Sequence, residues 1–108
     1  MNMLNSLIIE GVVVGEPHYE ELGGSGRVYF TVETSRYYKT RDGNDATESS
    51  QFNVVGYGRL CSLRLTNGSQ VRLVGRLRQN VWSENGVTHS EVQIVAEHIE
   101  IKKTNKGA

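Results

Sequence analysis

Residues 51–82 read QFNVVGYGRLCSLRLTNGSQVRLVGRLRQNVW, and the order of patterns within them decides the fold. Gln51–Tyr57 alternates as a strand does, with Phe52 and Val54 on one side and Val55 and Tyr57 on the other. Arg59–Leu65 is the helix candidate: Leu60, Leu63 and Cys61 can line a single face, and Asn67-Gly68 ends it. So short a helix stands only when it packs against something else. Gln70–Trp82 then returns to the strand period, with Val71, Leu73, Gly75 and Leu77 sharing one parity.

Working outward, Leu7–Val14 (LIIEGVVV) is apolar on both faces apart from Glu10, and Gly11 marks a bulge or sharp bend inside it. Gly15–Gly26 reads as a loop, with Pro17 and a flexible turn at Gly23-Gly24-Ser25-Gly26. Val28–Thr34 alternates, placing Val28, Phe30 and Val32 inside and Tyr29, Thr31 and Glu33 outside. Tyr37–Ser49 is a long polar connection with a hairpin tip at Asp42-Gly43, and Glu84-Asn85-Gly86 is a second tip. In the last strand, Val87–Ile101, the apolar parity switches from Val92 and Ile94 to Ile99 and Ile101. Side chains alternate strictly along a strand, so the switch predicts a bulge near Val95–His98. Met1–Asn5 reads as a loose end.

Three strands, a short helix and two more strands give an all-β fold, a five-stranded OB-fold barrel with one short helix between strands 3 and 4. A five-stranded sandwich and an SH3-like barrel are the rivals, and the place of the helix favours the OB-fold. Residues 1–103 form a single domain on this reading, and 104–108 a short flexible C-terminal tail.

The chain has 108 residues, with twelve basic side chains against twelve acidic ones. A protein that coats nucleic acid by bulk charge is excluded; a basic patch on one face is not. Cys61 is the lone cysteine, which fits a reducing compartment, and there is no apolar run of membrane-spanning length and no signal peptide. The expected address is the cytoplasm. Enzymatic signals are poor. His18, His89 and His98 are scattered without metal-ligand spacing, Gly23–Gly26 lacks the Lys-Ser/Thr of a phosphate loop, and no nucleophile–base pair stands out. The expectation is a binding protein with no catalytic residue, metal or cofactor.

Two clusters carry binding chemistry. On Gln70–Trp82 the parity opposite the apolar set holds Arg72, Arg76, Arg78 and Trp82. Guanidinium groups pair with phosphates and an indole offers a flat surface to a base. Around the long connection stand Arg36, Tyr37, Tyr38, Lys39 and Arg41, basic residues interleaved with aromatics; adjacent tyrosines cannot both enter one core from an extended chain. Tyr57, with Arg59 two residues on, is a further stacking platform with a neighbouring cation, whereas Phe30 and Phe52 are expected in the core.

LNSLIIEG, VYFTVETSR, QFNVVGYGRL, NGSQVRLVGRLRQNVW and VAEHIEI together resemble the bacterial single-stranded DNA-binding protein family, over about residues 4–101. The resemblance implies an OB-fold, a homotetramer (a dimer is the alternative), and binding and protection of single-stranded DNA, without sequence preference, in replication, recombination and repair. It implies a cytoplasmic, nucleoid-associated protein. It places Tyr38, Tyr57 and Trp82 at stacking positions and Arg59 and Arg78 at basic contact positions. Gln51 stands where the family usually has a tryptophan, and Asn67, Asn80 and Val81 where bases are common. The acidic tip through which the family recruits replication and repair proteins is not in this sequence, which ends KKTNKGA. The runner-up is the primosomal paralogue, a short, dimeric OB-fold protein acting mainly as a protein-interaction module with weaker DNA binding.

Overall fold

The computed structural model describes residues 1–22 and 25–102. Five long strands, β1 (Leu7–Leu22), β2 (Ser25–Lys39), β3 (Asp45–Tyr57), β4 (Gln70–Glu84) and β5 (Val87–Ile101), close into a barrel in the order β1-β2-β3-β5-β4. Every pairing is antiparallel except β3 with β5, where Val54 lies opposite Ile94 and Val55 opposite Val95. Alternation fills the interior: Val13, Val28, Phe30, Val32, Val54, Val71, Leu73, Ile94, Ala96 and Ile99 are buried together, and Leu65 joins them.

Glycine is required where strands cross most closely. A Cβ on Gly11 would collide with the carbonyl oxygen of Glu33, and one on Gly75 with that of Val95. The predicted bulge is present. Val74 pairs with His98 but Gly75 with Ala96, which leaves Glu97 as the extra residue and carries Ile94 and Ile99 to the same buried side.

Several expectations are corrected. Gly15–Leu22 is not loop but the second half of β1, paired with β2 from His18↔Tyr29 to Leu22↔Ser25. Gly15 (φ 80°) and Pro17 sit in the interruption between Val14 and His18, where a missing N–H breaks no ladder bond. Gly23 and Gly24, in the expected flexible turn, and the tail over 104–108 lie outside the described residues. The polar stretch Tyr37–Ser49 is mostly paired strand, down to Lys39↔Asp45, and only its tip turns, at Gly43 (φ 83°). The helix is a 3-10 turn over Gly58–Ser62; Gly56 leaves room for Leu60, and Tyr19 donates from its hydroxyl to the Leu63 carbonyl (2.9 Å).

Leu77 is 47% exposed and Phe52 40%, although their parity is that of the core. Both hairpins overrun the barrel, so the inner parity there faces no opposite wall. Asn5 is not loose: its amide donates to the Leu77 carbonyl (2.8 Å) and accepts from the Leu77 N–H (3.0 Å), extending the β1–β4 ladder with a side chain.

Candidate nucleic-acid interface

The outward parity of β2 and β3 sets Arg27 opposite Tyr57, Tyr29 opposite Val55 and Thr31 opposite Asn53. Arg27 lies over the Tyr29 ring, 5.0 Å from its centroid. Glu20, across the β1–β2 ladder, holds it there by accepting from Nε (3.1 Å) and Nη2 (2.6 Å). That bond lowers the Glu20 carboxyl below its ordinary pKa and raises the guanidinium's. The ring of His18 stacks on Tyr29 at 6.5 Å.

β4 runs unbulged past this face, so Arg76, Arg78, Asn80 and Trp82 share its outer side, as the sequence pattern predicts. Arg78 donates to Gln93 Oε1 (2.6 Å from Nη2) and to the Tyr57 hydroxyl (2.8 Å), with its guanidinium 5.7 Å from the Tyr57 ring centroid. Gln93 is only 6% exposed, so a buried amide aims the arginine. Further out, Trp82 pairs across the ladder with His89 and stacks on it (5.5 Å, 22°), and the indole remains exposed.

The β2–β3 hairpin presents its tyrosines on opposite sides, and both are exposed. Arg36 covers Tyr38 at 5.2 Å and pairs with Glu48 at 3.7 Å, Lys39 pairs with Asp45 at 2.9 Å, and Arg41 is exposed in the turn. Arg59 stands exposed on the 3-10 turn beside Tyr57.

Arg72 occupies the far end of the β4 strip. It pairs with Glu10 (2.7 Å) and Glu100 (3.6 Å), and Lys102 lies 3.5 Å from the same Glu10 carboxylate. The Arg72 hydrogen bond, with Lys102 beside it, holds the Glu10 carboxyl below the usual range. Arg76 pairs more loosely with Glu97 (3.4 Å).

The pattern that recurs is a guanidinium held over a tyrosine: Arg27 on Tyr29, Arg78 on Tyr57, Arg36 on Tyr38. Such pairs offer a cation to a phosphate and a π-face to a base side by side. Arg27 and Tyr29 escaped the sequence-based selection. Their signal was present, a tyrosine on the polar parity of an alternating strand. Among the described residues no group of three or more His, Cys, Asp and Glu is gathered as a metal site.

The model of the single-strand binding protein family matches residues 4–102. A single-stranded DNA-binding protein of Aquifex aeolicus is 36% identical over 110 aligned positions, covering 98% of this chain and 75% of that protein. The fold matches the Plasmodium falciparum single-strand binding protein in complex with single-stranded DNA (TM-score 0.84, 20% identity, 95% and 98% of the two chains). It also matches a small single-stranded DNA-binding protein from Streptomyces coelicolor (TM-score 0.73, 23% identity, 94% and 96%).

Proposed function

The chain belongs to the single-strand binding protein family, and from that premise we propose that it binds and protects single-stranded DNA during replication, recombination and repair. Bases stack on Tyr57, Trp82 and Tyr38, and phosphates meet Arg78, Arg76 and Arg59. The β2–β3 hairpin, with Arg36, Tyr37, Lys39 and Arg41, closes over the strand, and Tyr29 with Arg27 extends the platform on the barrel wall. Arg72, already paired with Glu10, adds least. The observation that carries this reading is a guanidinium held over a tyrosine twice on the outer face of the barrel, Arg27 on Tyr29 and Arg78 on Tyr57, and once more on the opposite face of the β2–β3 hairpin, Arg36 on Tyr38.

The protein is further proposed to act as a homotetramer, with a dimer as the alternative. Ile8 is 69% exposed, and Val12 and Val14 beside it on the outer face of β1 are also uncovered. A row of aliphatic side chains on a strand invites a second copy. Replication and repair proteins are the partners this role calls for, and the cytoplasm, in association with the nucleoid, is the proposed location. No helix of the described residues is long and apolar enough to cross a membrane.

Oligo-dT binding measured across a salt series tests the DNA-binding role. For single strands, log affinity falls against log salt by about 0.7 per phosphate neutralised. Several arginines acting together give a slope steeper than about −2, and Arg76→Ala with Arg78→Ala makes it shallower by about 1.4. Weak binding with a flat slope would instead fit a protein-interaction module.

A further inference from the structure

Beside the Tyr29 platform the outer face sinks into a cleft of about 310 Å³, with room for a planar base. Its chemistry differs from everything around it. Thr31 donates to Asn53 Oδ1 (3.3 Å), and Asn53 Nδ2 donates to Glu91 Oε1 (3.3 Å), so the amide is oriented and the carboxylate anchored by one oxygen. Asn80, opposite Glu91 in the β4–β5 register, and Glu16, from the β1 interruption, complete the polar wall. Neither Glu16 nor Glu91 is in an ion pair among the described residues.

Two uncompensated carboxylates repel phosphate, so the part of a DNA strand that enters this cleft is a base and not the backbone. An ionised carboxylate only accepts hydrogen bonds. Guanine presents two adjacent donors, N1–H and N2–H, which a carboxylate takes together. Thymine presents a single N3–H flanked by two carbonyl oxygens, which the carboxylate repels. We infer that the Glu91 cleft is a base-reading subsite that accepts guanine and disfavours thymine. This rests on the DNA-binding role above and adds to it. The stacking platforms hold a tract of any sequence, while the cleft biases where along the tract the protein comes to rest.

The test compares two oligonucleotides of equal length at one salt concentration. One is all thymine; the other carries an isolated guanine at regular intervals, too sparse for guanines to associate. A charged bidentate base contact is worth roughly five-fold or more in affinity, the low end applying to an open cleft. The native protein is expected to bind the guanine-bearing strand about five-fold tighter. Glu91→Gln, which keeps the shape but removes the charge, is expected to bind both strands alike. Any general gain from deleting a negative charge cancels in the ratio. Equal affinities in the native protein, with thymine binding intact, overturn the cleft assignment alone, as does a preference that survives in Glu91→Gln. A native protein that binds neither strand overturns the DNA-binding role and the cleft with it.

Discussion

Arg78 on β4 reaches across β5 to Tyr57 on β3, donating from Nη2 to the phenolic oxygen at 2.8 Å. The guanidinium is thereby fixed over the ring, 5.7 Å from its centroid, instead of sweeping through solvent, and Gln93 also holds it. A base stacked on Tyr57 would find the cation already placed for the adjoining phosphate, so little side-chain entropy remains to be lost on binding.

Replacing Tyr57 separates the ring from the hydroxyl. Tyr57→Ala should weaken oligo-dT binding by about 1–3 kcal/mol, the usual worth of one stacked base. Tyr57→Phe keeps the platform and frees Arg78 from one of its anchors, so it should cost less than Tyr57→Ala. Fluorescence-anisotropy titrations of the two variants give the comparison; equal losses would mean that the hydroxyl, and not the ring, matters.

Trp82 is the sole tryptophan and one face of its indole is already covered by His89. Single-stranded DNA should quench its emission by covering the other face. Trp82→Ala should cost about 1–3 kcal/mol per site. Unchanged emission at saturating DNA would show that no base stacks there.

Acid should loosen the closing seam between β1 and β4. Glu10 titrates below its ordinary value in the folded chain because Arg72 and Lys102 stabilise its charge. Above the ordinary carboxylate range, folded and unfolded chains are both ionised and the ion pair contributes fully. As pH falls through that range the unfolded chain takes up the proton first, and the contribution is lost by the time the folded carboxyl is protonated. Thermal midpoints recorded from neutral pH downward should show this decline, and Glu10→Gln should flatten part of it. Glu20, lowered by Arg27, adds a parallel contribution.

Assembly should depend on the outer face of β1. Ile8→Glu places a charge where the side chain is exposed in the single chain, so folding should be little affected. In a tetramer or dimer built on that face the same charge would be buried without a partner. Light scattering on a sizing column should report a smaller species for Ile8→Glu than for the native protein. A native monomer at micromolar concentration would refute the assembly.

Alternation is written into the chain itself, because successive side chains of an extended backbone must point to opposite sides. The parity switch between Ile94 and Ile99 therefore called for a bulge near Val95–His98, which falls at Glu97, and the shared parity of Arg76, Arg78 and Trp82 put them on one side of β4. The element order, with a short turn between the third and fourth strands, likewise followed from local patterns and turn residues. What a strand lies against is a different matter. Glycine and proline made Gly15–Leu22 read as loop, yet β2 supplies a partner ladder that local propensity cannot anticipate. Leu77 and Phe52 carry core parity but stand beyond the reach of the opposite wall, since only barrel closure decides where the interior ends. The pairing of Arg72 with Glu10, the hold of Glu20 on Arg27 and the carboxylate cleft at Glu91 all join residues on different strands. Register and curvature brought those groups within a few ångströms of one another, and the alternation pattern contains neither.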